Sequence, residues 1–165
     1  MGQIAQYQRL EDAQLDELLA GDRADVFERI EELAEEGGGV EDIDKFWDGL
    51  HFVLTGKPGS EPVDGDPLSE AIVGIAFFDD DEDADFITYI PADQVGRIRV
   101  ALDAAPDEKV AQGFDAKAMR KKVYPNIWSD DAAELITTLT TELHRLQGFY
   151  RAAHDAGQAV VVSIY

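Results

Sequence analysis

The run AVVVSIY (159–165) constrains the fold more than any other stretch of the sequence. It is β-branched and continuous, the pattern of a buried strand in the middle of a sheet rather than at its edge. Before it, Ala132, Leu135, Ile136, Leu139, Leu143, Leu146, Tyr150 and Ala153 keep helical period. That stripe predicts the longest helix, capped by Ser129 and running for about six turns, as the spine of the core.

A sheet needs more strands, and the rest of the chain supplies few. Ile4–Leu10 alternates loosely and suits a first strand, and Ile75–Phe78 and Phe86–Ile90 bracket the acidic run DDDEDAD (79–85) as a hairpin. Helices fill what remains. Leu15, Leu18 and Leu19, then Val26, Ile30 and Leu33, mark two amphipathic helices parted by Gly21 and Asp22, the second ending at Gly37-Gly38-Gly39. Glu41 or Asp42 opens a third helix that Gly56 and Pro58 close. KPGSEPVDGD (57–66) is a loop by composition, and Asp66-Pro67 caps a short helix from Leu68 to Val73. Pro91 starts a helix through Leu102, and another runs from about Asp107 to Val123 before Pro125 breaks it. The expectation is one α+β domain over 1–165, predominantly helical, with a small mixed or antiparallel sheet that includes both terminal strands.

Charge narrows the function. Asp and Glu number 35 against 14 Lys and Arg, a net charge of -21. Of these, 25 acidic and 5 basic side chains fall in 1–85, against 10 and 9 in 86–165. Such a surface repels nucleic acid and steers a basic partner, although acidity spread over a proteome for solubility produces the same numbers. The absence of cysteine excludes disulfides, thiolate catalysis and cysteine-ligated metals, and is compatible with reducing cytosol. MGQIAQYQRL lacks the basic start and apolar core of a signal peptide, and no apolar run approaches bilayer length. A cytoplasmic protein without membrane association is expected.

The stretch DIDKFWDGLHFVLTG (42–56) holds the best candidates for chemistry. At 100° per residue, Ile43, Phe46, Trp47, Leu50, Val53 and Leu54 form one stripe, so Trp47 reads as core. Asp44, Asp48, His51 and Thr55 fall on the neighbouring flank, where one of the carboxylates would hold His51 at the core edge and raise its proton affinity. Phe52 points nearly opposite the stripe and implies burial on two sides or an anchor for a partner. Gly49, costly inside a helix, implies a close neighbour or a ligand on that second face. A bundle-type metal site would need a second carboxylate–histidine pair, and neither His144 nor His154 supplies one. As a calcium loop, 79–85 lacks the turn glycine and the bidentate glutamate, so neither metal nor cofactor is expected. There is no phosphate-binding glycine loop or serine nucleophile elbow. Arg120-Lys121-Lys122 is the one basic patch; it takes a phosphate or carboxylate, or pairs with the acidic half of the same chain, and the second needs nothing extra.

DKFWDGLHFVLTG (44–56), DPLSEAIVG (66–74), VYPNIW (123–128) and a β-branched terminus after a long helix together resemble the YfbM-like family of bacterial proteins, a domain of unknown function. The resemblance spans essentially the whole chain and implies a single cytosolic α+β domain, with no established activity or catalytic residues to carry over. The acidic run at 79–85 is not a recognised feature of the family. Two functional expectations follow from the residues. The first is a non-enzymatic interaction domain whose acidic N-terminal half engages, or neutralises, a basic protein. The second is a small-ligand receptor or hydrolase with a pocket gathering Asp44, Trp47, Asp48, His51, Thr55 and Ser69, walled by Tyr124 or Trp128, with His51 as base. A cavity beside His51, or its absence, discriminates between them.

Overall fold

The computed structural model describes residues 2–37, 39–79 and 86–165. Strand β1 (Ala5–Leu10) is followed by helices α1 (Asp12–Ala20) and α2 (Val26–Glu35), then by β2 (Val40–Asp42). Next come α3 (Trp47–Thr55), α4 (Pro67–Val73), β3 (Ala76–Phe77) and β4 (Phe86–Ile90). Helices α5 (Ala92–Ala104), α6 (Asp107–Gly113), α7 (Ala116–Lys122) and α8 (Ala132–Asp155) lead to β5 (Ala159–Ile164). The strands lie in the order β2-β1-β5-β4-β3, and every pairing is antiparallel. The molecule is therefore α+β and predominantly helical, with both terminal strands in one sheet.

β5 sits in the centre of that sheet and is buried along its whole length. Its unbroken hydrophobicity has a direct cause. Val160, Val162 and Ile164 face a large core shared with α3, α4, α5 and α8, while Ala159 and Val161 face a smaller one with Leu15 and Leu18 of α1 and Val26, Ile30 and Leu33 of α2. With helices on both faces, neither set of alternate residues meets water.

Helix α4 shows how polar ends are managed inside the larger core. The last carbonyls of a helix lack intrahelical partners. Here the buried hydroxyls of Tyr150, Tyr7 and Thr88 donate to the carbonyls of Ala71 (2.6 Å), Ile72 (2.7 Å) and Val73 (2.8 Å). Burial pushes both tyrosine hydroxyls well above their ordinary pKa, so they remain donors.

Several expectations are corrected. Glu41 and Asp42 do not open the third helix; they extend β2 along β1, and the amide of Ile43 donates to Ala5 O (3.2 Å). Asp44 then takes a left-handed backbone (φ 54°), a 3-10 turn spans Asp44–Phe46, and α3 begins only at Trp47. The helix expected over 107–123 is two, because Phe114 and Asp115 leave the helical region and the Asp115 carboxylate caps α7 at the Ala118 amide (3.1 Å). Asp131, not Ser129, caps α8, accepting from the amides of Ala133 (3.0 Å) and Glu134 (3.3 Å). Leu19 and Ala132 fall outside their helices' buried stripes and are exposed. The β3–β4 pairing supports the hairpin, whereas residues 80–85, nearly all of its acidic run, lie outside the described residues.

Candidate functional site

α3 is buried from Trp47 to Leu54 without interruption, which makes it the hub of the candidate site. A helix buried around its circumference must be surrounded, and α3 packs against α4, α6 and α8. Phe52 is thus explained by burial on a second side, with the Lys122 ammonium 5.4 Å from its ring centroid. Gly49 is explained by a close neighbour: a Cβ there would stand 2.1 Å from Cη2 of the fully buried Trp128. Trp128 donates through Nε1 to Val123 O (3.0 Å) and is a core residue, not a pocket wall.

The polar groups of α3 do not converge as the helical spacing predicts. Asp48 is 4% exposed, and its two oxygens accept from the Gly59 amide (2.5 Å) and the Tyr124 amide (2.7 Å). It ties the 57–66 loop and the segment after α7 to the helix. Asp44 lies outside α3 on the exposed 3-10 turn, where its own amide donates to the Asp42 carboxylate (2.6 Å). Neither carboxylate bonds His51.

His51 is instead held by Lys57 O, 2.7 Å from Nδ1, and by the Ser69 hydroxyl, 2.7 Å from Nε2. A carbonyl only accepts, so Nδ1 carries the proton and Nε2 accepts from Ser69, whose oxygen in turn accepts from the Val63 amide (2.9 Å). Thr55 donates to the His51 carbonyl (2.7 Å) and receives the Lys57 amide (3.2 Å), closing the turn after α3. Burial lowers the His51 pKa below its ordinary 6.5 and outweighs the raising effects of the Lys57 carbonyl and the Asp48 and Asp66 charges. The expected rise is therefore corrected: the carboxylates are directed elsewhere while the ring is fully enclosed. A neutral imidazole bonded to a hydroxyl has the order of a base and a nucleophile. With His51 at 0% and Ser69 at 1% exposure, however, no substrate reaches either atom.

The open space borders Asp48 and does not include His51 or Ser69. A cleft of about 500 Å³ is lined by Trp47, Asp48 and Tyr124, by Arg120, Lys121 and Lys122 at the end of α7, and by Gln3, Gly59 and Phe86. The Trp47 and Tyr124 rings stand 6.4 Å apart at 30°. Both hold the segment before β1: Trp47 Nε1 donates to Gln3 O (3.3 Å), and the Gln3 amide donates to the Tyr124 hydroxyl (2.7 Å). Among the described residues none forms an ion pair with Arg120, Lys121 or Lys122, so the expected pairing with the acidic half is corrected as well. Of the eight sequence candidates, Trp47, Asp48 and Tyr124 meet at the cleft. His51, Thr55 and Ser69 form the enclosed network, and Asp44 and Trp128 belong to neither. The contributions of Gln3, Gly59 and Phe86 were missed because only long-range packing brings them to α3.

No group of three or more His, Asp or Glu side chains among the described residues is placed to hold a metal ion. No helix among them is long and apolar enough to cross a membrane.

Comparison with known proteins agrees with this architecture. The profile of a family described as a domain of unknown function (DUF1877) matches residues 1–163. Protein YfbM of Escherichia coli (strain K12) is 25% identical over 154 residues, 92% of this chain and 91% of that protein. The crystal structure of YfbM from Escherichia coli, titled a protein of unknown function, superposes with a TM-score of 0.81 at 22% identity, covering 98% of this chain and 99% of that one.

Proposed function

The chain belongs to the DUF1877 family, a domain of unknown function, and we propose that it is a cytosolic binding protein whose Trp47–Tyr124 cleft takes a small anionic ligand with an apolar body. One observation carries this reading: three consecutive cations without ion-pair partners among the described residues rim a cleft that two aromatic rings wall, in a protein of net charge -21. Cations at the end of α7 offset its helix dipole, yet that requires neither a cleft nor aromatic walls. Phosphate and carboxylate are the groups such cations recognise, and the rings supply the apolar contact. The Asp48 carboxylate beside them keeps its negative charge, but its oxygens are engaged by two backbone amides and the three cations outnumber it. Binding rather than hydrolysis is favoured because the nearest hydroxyl–imidazole pair, Ser69–His51, is closed to solvent.

The test is an NMR screen of aromatic carboxylates and nucleoside monophosphates against their neutral isosteres, read at the two tryptophan indole N–H signals. Anionic members should shift Trp47 and the Tyr124 amide while leaving Trp128 unmoved, and Arg120→Gln with Lys121→Gln and Lys122→Gln should abolish the effect. Equal shifts from neutral isosteres, or none at Trp47 from any member, would overturn the reading.

A further inference from the structure

The ridge of cations that borders the cleft has a second side. Lys121 and Lys122 also line a hollow of about 320 Å³ on the surface of α7, together with Lys117, Ala118 and Asp115. Helical spacing builds that hollow. Lys117 and Lys121 stand four residues apart, as do Ala118 and Lys122, so the two pairs form neighbouring rows on one face, and Ala118 puts only a methyl group among the lysine stems.

The helix by itself does not account for this arrangement. Lys117 is in the first turn of α7, where the helix dipole disfavours a cation, and that turn carries no acidic residue. Lys117 and Lys121 are moreover like charges at a spacing where they repel and destabilise. Among the described residues none of Lys117, Arg120, Lys121 and Lys122 forms an ion pair. Asp115, the one carboxylate of the hollow, accepts from the Ala118 amide as the cap of the helix (3.1 Å). Two adjoining depressions thus share a ridge of unpaired cations.

A single anionic group engages one side of that ridge. Lys121 and Lys122 reach it on flexible four-carbon stems. Lys117 does not line the cleft, and it stands one turn, about 6 Å along the axis, from Lys121. An anion that also meets Lys117 must continue over the ridge as a chain of charged groups. Phosphoanhydrides are such chains, because each added phosphoryl group brings further charge and acceptor oxygens on a flexible link. Resting on the assignment of the Trp47–Tyr124 cleft to an anion with an apolar body, we propose that the ligand is a nucleoside polyphosphate. Its base lies against the Trp47 and Tyr124 rings, its first phosphate meets Arg120 and the ridge lysines, and its terminal phosphate lies beside Lys117.

The probes are AMP, ADP, ATP and inorganic tripolyphosphate, each titrated into the 15N-labelled full chain at one ionic strength without divalent cations. AMP and ATP should both shift the Trp47 indole N–H, and only the polyphosphates should shift the Lys117 amide. ATP should bind about tenfold more tightly than AMP through its added charge-assisted bonds. Lys117→Gln, a change at an exposed position, should bring ATP close to the affinity of AMP. The proposal is overturned if ATP shifts Trp47 yet binds no more tightly than AMP, if Lys117→Gln weakens AMP and ATP equally, or if tripolyphosphate binds as tightly as ATP without a shift at Trp47. The first of these results leaves the cleft assignment standing, whereas silence of Trp47 with AMP and ATP alike removes both.

Discussion

Replacing Gly49 by alanine sets two effects of opposite sign against each other, and the structure says which prevails. In a helix interior alanine is favoured over glycine by about 1 kcal/mol. The new Cβ, however, would stand 2.1 Å from Trp128 Cη2 and 2.6 Å from Cζ2, where carbon atoms pack comfortably at about 3.5–4.0 Å. Trp128 has no room to retreat: it is fully buried, pinned by its bond to Val123 O and packed edge-to-face on Phe114 at 6.3 Å. Overpacking a core costs about 1–3 kcal/mol, and an overlap above 1 Å against a fixed ring belongs at the upper end. The net expectation is a loss of about 2 kcal/mol, a fall in Tm of about 4–8 °C for a chain of this size. Urea unfolding followed by circular dichroism measures the first quantity and a thermal melt the second. Trp128→Phe removes the clashing atoms, so the Gly49→Ala/Trp128→Phe pair should be more stable than additivity allows by about 2 kcal/mol. An additive cycle, or a Gly49→Ala variant stabilised by the full helical preference, refutes the argument that close approach of Trp128 keeps glycine at this position.

Three further outcomes follow from the buried polar groups. Asp48→Ala strands the Gly59 and Tyr124 amides and should cost about 2–4 kcal/mol in urea unfolding, with faster hydrogen exchange at both amides; native-like exchange there would show that water replaces the carboxylate. The lowered pKa of His51 means that the unfolded chain takes up its proton first, so its share of stability is intact above about pH 6.5 and is lost as pH falls towards the folded-state value. His51→Gln should flatten that acid limb, and an NMR titration placing His51 above the free value would contradict the assignment. Burial, together with Glu41, Asp44 and Asp42, raises the pKa of Glu142 against the opposing pull of Arg145, so its ionisation weakens the fold as pH rises. Glu142→Gln should therefore raise Tm at pH 7 and change it little near pH 3, and equal shifts at both would point to packing instead.

The central place of β5 and the long helix before it were determined by the sequence alone, because both rest on local periodicity. A run such as Ala159–Ile164 tolerates no aqueous face, and a stripe such as Leu135 to Ala153 fits only one side of a helix. The same logic identified α3 as core and its glycine as a point of close approach. It failed where a residue's partner lies far along the chain. Asp48 and His51 are three residues apart, and spacing suggested a mutual bond. Tertiary structure instead directed Asp48 to amides 11 and 76 residues away, and His51 to a carbonyl and a serine hydroxyl. Buried amides must find acceptors, and a buried carboxylate must find donors. Which ones meet is decided by how α3, the 57–66 loop and the segment after α7 dock, and helical spacing carries no information about that. Val40–Asp42 became a strand for the same reason, since β1 offered an edge to which those three residues could pair. The cleft exists only in the packed molecule, where residues far apart in the chain are brought to one surface.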